Sequence, residues 1–170
     1  FRYLMETDCP FPPASHDAPA ALCWALAKAE QLAIDRARIA VGGDSAGGDL
    51  AASVSLRATR DGGPSPAFQL PVYPVTDLSA RSESYHLFAD GFFLTASQME
   101  WYIRHYSGVD QPAVQDSSVS PLLAEHLFGP PPAHIATALS DPFLHAAHAP
   151  ARPRDQPGVP RTPPPLGPSL

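Results

Sequence analysis

The feature that most limits what this chain can fold into is the heptad Gly42-Gly43-Asp44-Ser45-Ala46-Gly47-Gly48, set between two different periodicities. Before it, Ile39-Ala40-Val41 is a short apolar run bounded by glycine, which suits a buried parallel strand. After it, Leu50, Ala51, Val54 and Ala58 recur at helical spacing over residues 46–60, until Asp61-Gly62-Gly63-Pro64 stops the pattern. A strand therefore has to turn into a helix within a few residues. Such a turn crowds the positions two before and two after its tip, so Gly43 and Gly47 are expected as the residues that fit, with Ser45 at the tip.

The same alternation runs on either side. Residues 17–33 place Leu22, Leu26, Ala29 and Leu32 or Ala33 on one helical face, with Asp17 as N-cap and Pro19 in the first turn. Residues 67–73 read as the next strand, closed by Pro74; Pro71 within it is a defect, because a central strand needs every donor. A polar and aromatic stretch runs from Asp77 to Leu94. Thr95 and Gln98 then form a capping-box signature for a helix to about Tyr106, ended by Gly108. Residues 133–139 are a third strand candidate, leading to Ser140-Asp141-Pro142. Strands alternating with helices predict an α/β fold, a doubly wound and mostly parallel sheet with helices on both faces.

Proline marks the sharpest boundary. Of 22 prolines, 9 fall in residues 142–170, where backbone donors are removed and helix interiors blocked. Residues 1–141 are expected to carry the folded unit, and 142–170 a Pro-rich, disordered tail. The chain opens on Phe1 rather than Met, which reads as a fragment with its N-terminus upstream.

Charge and cysteine usage exclude several partners. The net charge is −6 and no basic run is present, so nucleic acid is not expected to bind. No apolar stretch approaches the ~18 residues of a membrane span, and no signal-peptide pattern opens the chain. A cytoplasmic protein is the expectation. Cys9 and Cys23 lack metal-ligand spacing and read as reduced thiols, with no metal site implied. Nothing in the pattern fixes an oligomeric state.

A serine hydroxyl is a weak nucleophile and has to project from a tight turn to meet both a base and a substrate. Ser45 has that place, and the Ala46 N–H at the helix start suits an oxyanion. Neither a Gly-x-Gly-x-x-Gly spacing nor a Lys-Ser/Thr ending is present, which argues against a phosphate loop. The run from Ile39 to Ala51 resembles the elbow of hormone-sensitive-lipase-like (bacterial family IV) esterases. So do Tyr3-Leu4 with Pro10-Phe11-Pro12, Tyr73-Pro74-Val75-Thr76-Asp77, Asp90-Gly91-Phe92-Phe93-Leu94-Thr95, Ser120-Pro121-Leu122-Leu123 and Asp141-Pro142, in family order.

The resemblance implies an α/β-hydrolase fold and hydrolysis of small-molecule carboxylic esters with no metal or organic cofactor. It casts Ser45 as nucleophile, Ala46 as oxyanion donor and Asp141 as the acid that orients a histidine. Asp77 is the rival acid, its ordinary alternative being a loop cap. Asp44 and Asp49 are expected to order the turn and the helix, and residues 78–108 to form a lid or pocket wall. The family's histidine follows one more strand, yet His145 and His148 alone follow Asp141, within seven residues of it. His134 reads as packed in a strand. No His-Gly-Gly-Gly-like oxyanion loop occurs in residues 1–44. A frameshift near codon 142 would account for the change of composition. An inactive fragment or pseudoenzyme is the alternative reading, and a peptidase or amidase on the same fold shares the elbow.

Overall fold

A computed structural model describes residues 11–108, 112–125 and 129–137. At its centre β1 (Ala40–Asp44) and β2 (Phe68–Val72) pair in parallel, with Ala40 opposite Phe68 and Asp44 opposite Val72. Parallel neighbours need a crossover, and α2 (Ala46–Arg60) supplies it. The helix ends where the spacing predicts, Asp61 N–H bonding to Arg57 O and Gly62 turning at a φ of 64°.

Residues 133–136 run along the other side of β2 as two isolated bridges, Gln69 to Ala133 and Val72 to Ala136, rather than as the predicted strand. Positions 138 and 139 of that prediction lie outside the described residues. Pro71 explains the interruption. Gln69 N–H reaches Pro132 O and Tyr73 N–H reaches Ala136 O, while Pro71 between them has no N–H to give. The defect falls on this side of β2 and leaves its pairing with β1 complete.

The first helix, α1, spans Pro13–Ala27 and not residues 17–33. Asp17, expected as its N-cap, lies inside it, and Pro12 holds the cap position without a side-chain bond. A proline suits a helix start because the N–H it lacks has no partner there. The helix therefore begins at the earlier proline, and Pro19 falls in its interior. Past Ala27 the chain folds back, Ile34 N–H bonding to Ala29 O and Ala33 taking a φ of 53°.

Leu22 and Leu26 of α1 and Val54 of α2 bury one another against Ile39 and Val41, which covers one face of the sheet. The opposite face carries Phe68 and Leu70, 39% and 42% exposed; among the described residues no helix covers it. A second core of Val75, Leu78, Tyr85, Met99, Ile103, Ala113 and Val119 ties α3 (Glu83–Leu87) and α4 (Ala96–Ser107) to the chain after β2. The predicted capping box opens α4: Thr95 Oγ1 accepts from Gln98 N–H, and Gln98 Oε1 accepts from Thr95 N–H. No helix among the described residues is long and apolar enough to cross a membrane.

Candidate active site

Ser45 stands between the end of β1 and the start of α2 at φ 49° and ψ −118°. A non-glycine residue in such a region costs about 1–3 kcal/mol and persists only when its surroundings hold it there. Two backbone bonds do so here. Ser45 N–H donates to Val72 O of β2 at 2.9 Å, and Ser45 O accepts from Asp49 N–H at 3.1 Å. Ala46, exposed, is the first residue of α2, so its N–H belongs to the donors that a helix start leaves without an intrahelical partner.

The crowding at this turn is not placed as the sequence suggests. A Cβ on Gly43 would lie 2.5 Å from the backbone carbon and oxygen of Gly47, so nothing larger than glycine fits. A Cβ on Gly47 would meet nothing within 4 Å among the described residues, which corrects the expectation of crowding at that position. The second tight position is Gly48, whose Cβ would lie 3.0 Å from Gly43 O and 3.1 Å from Pro74 Cβ. The first turn of α2 rests on β1 and on the end of β2 through Gly48, and Gly47 contributes its backbone alone.

The aspartates separate into three environments. Asp44 is exposed and accepts a hydrogen bond from Tyr73 OH at 3.4 Å. Tyr73 itself has a φ of 35°, and nothing in the sequence pattern marks it beyond the Tyr73-Pro74 pair that closes β2. Asp77 is committed to a turn: its Oδ1 accepts from Ser79 N–H, Ser79 Oγ and Ala80 N–H at 2.6–3.1 Å. That geometry is the loop cap, not a free acid. Asp49, expected to order the helix, is buried with Oδ1 unpartnered among the described residues, and burial pushes its carboxyl well above the usual aspartate range.

Asp141 lies outside the described residues, as do His145 and His148. The runs that precede it finish level with one another, Asp44 opposite Val72 and Val72 bridged to Ala136, at the sheet end that carries Ser45. His134, expected to be packed, is exposed, and its backbone N–H donates to Gln69 O. His105 stacks on Trp101, ring centroids 3.9 Å apart, with Nδ1 2.8 Å from Trp101 O. Among the described residues no hydrogen bond joins Ser45 Oγ to a histidine.

A cleft of about 290 Å³ lies between α1 and the C-terminal half of α2, lined by Ser15, His16, Ser53, Arg57, Arg60 and Asp116. Ser53 is eight residues past Ser45, about 12 Å along the helix, so this cleft is not at the elbow.

A family model described as the alpha/beta hydrolase fold matches residues 2–162, which runs across the change of composition at residue 142. This chain belongs to the α/β-hydrolase fold family. Among the chain's curated relatives, the carboxylic ester hydrolase LipN of Mycobacterium tuberculosis is 41% identical over 146 residues, covering 83% of this chain and 39% of LipN. An ethyl acetate hydrolase of Pseudomonas putida is 38% identical over 159 residues, covering 92% of this chain and 49% of its own length. The crystal structure of a thermostable esterase from Pseudomonas putida ECU1011 superposes with a TM-score of 0.81 at 38% identity, over 86% of this chain and 46% of that one. The chain thus spans half or less of the length of these relatives.

Proposed function

We propose that this hydrolase cleaves carboxylic esters of small molecules through a serine nucleophile. Ser45 Oγ attacks the acyl carbonyl, the Ala46 N–H holds the oxyanion, and Asp141 orients a histidine that takes the serine proton and passes it to the leaving alcohol. Water then releases the acyl group by the same route, which calls for no cofactor. The observation that carries this reading is the strained turn of Ser45 between a parallel strand and a helix. The relatives' names, a carboxylic ester hydrolase and an ethyl acetate hydrolase, favour esters over amides. Residues 78–108 are assigned to the pocket wall, because they follow, after the five residues Tyr73–Asp77, the end of β2 to which Ser45 is bonded.

The test is covalent labelling of the full chain with a fluorophosphonate. Labelling that disappears in Ser45→Ala is expected, with hydrolysis of an ester exceeding that of the matched amide; unchanged labelling in Ser45→Ala would overturn the assignment. A second reading, a hydrolase scaffold that does not turn over, is favoured by the lack of a Ser45–histidine bond among the described residues. Ester binding without labelling decides for it.

A further inference from the structure

Asp49 lies one turn beyond Ser45 on α2, joined to it by the bond from Asp49 N–H to Ser45 O. It is 5% exposed, Oδ1 is fully buried, and its side chain makes no hydrogen bond among the described residues. An ionised carboxylate taken out of water needs donors or a cation close by, and among the described residues this one has neither. The elements packed on α2 bring little charge. On β2 and in the Pro121–Leu123 turn there is none, β1 carries only Asp44, and α1 carries His16, Asp17 and the thiol of Cys23. Burial alone raises the Asp49 carboxyl, with no contribution from any of these groups. The positive field of the helix start favours the ionised form, but by less than unpaired burial opposes it.

We propose that Asp49 is a neutral carboxylic acid in the folded protein at physiological pH, and that it thereby keeps a fixed negative charge away from the helix start that Ser45 uses. A carboxylate in the first turn of α2 would offset the partial positive charge there. The neutral acid leaves that field to the oxyanion formed when Ser45 attacks a carbonyl. This consequence rests on reading Ser45 as the nucleophile; the protonation state does not. Asp49 is then a positioning residue, touching neither substrate nor reacting atoms.

The full chain, carrying carbon-13 at aspartate Cγ, is titrated from acid to alkaline pH by NMR. One resonance, absent from Asp49→Asn, is expected to keep its carboxylic-acid position through neutral pH. If every aspartate ionises in the ordinary range, the proposal is overturned. Should Asp49→Asn fail to fold, Asp49→Ser provides the assignment, and the wild-type titration alone still decides whether a neutral aspartate exists. In parallel, the fluorophosphonate labelling rate is followed against pH. A several-fold fall where Asp49 ionises, missing from Asp49→Asn, is expected; identical profiles in a range where Asp49 titrates overturn the electrostatic role. Absence of labelling at every pH, with the neutral acid observed, sinks the nucleophile reading and leaves the protonation state standing.

Discussion

The two cores of this chain are built differently. Behind Ser45, Leu22, Leu26 and Val54 pack on one face of a two-stranded sheet whose other face, with Phe68 and Leu70, stays open among the described residues. Around α3 and α4, seven buried residues pack together, Ile103 and Val119 being the most buried at 1% and 0% exposure. Parallel sheets are as a rule covered on both faces, so among the described residues the elbow rests on half of a layered core, while the segment beside it gathers a larger buried cluster.

The sharpest way to break this contrast is to cut a hole in each core. Ile103→Ala is expected to cost about 2–5 kcal/mol, and Leu26→Ala to fall near the lower end of that range, about 2 kcal/mol, because its cluster is small and its neighbours Ala18, Ile39 and Val41 are only partly buried. Equal losses in denaturant unfolding followed by tryptophan fluorescence would contradict the contrast.

Within the elbow, Gly43→Ala is expected to cost about 1–3 kcal/mol by overpacking and to abolish fluorophosphonate labelling. Gly47→Ala should be neutral or stabilising by up to about 1 kcal/mol, since a Cβ there meets nothing within 4 Å among the described residues. The reverse order would refute the one-sided crowding.

A third prediction concerns pH. A carboxyl that holds its proton more tightly when folded adds stability that is full below the ordinary aspartate pKa and is lost as pH rises toward the folded value. Unfolding free energy should fall with pH over that window, and Asp49→Asn should remove the slope; a slope of the same size in the variant would assign it to another group. The smallest effect is expected at Leu70→Thr, within about 0.5 kcal/mol, because that side chain is already 42% exposed. A loss comparable to Leu26→Ala would mean that the open face is covered in the whole protein.

Much of this was legible because it is local. The bounds of α2, the turn at Gly62 and the capping box of Thr95 and Gln98 depend on hydrogen bonds and periodicities within a few residues, and the sequence carries them directly. The place of Ser45 between strand and helix is of the same kind. The start of α1 is local too, and the reading missed it because Pro12 and Pro13 outweigh a good capping residue at Asp17.

What only the tertiary structure decided involves atoms far apart in the chain. Gly48 has to be small because a Cβ there would meet Gly43 O and Pro74, just past the end of β2, at 3.0–3.2 Å. Pro71 is tolerated because its missing N–H faces the 133–136 run rather than β1. Asp49 is neutral or charged according to what packs around it, and an acidic residue one turn into a helix looks the same in sequence whether water or protein surrounds it. Periodicity tells which face of an element turns inward; it carries no record of which distant residue that face will meet.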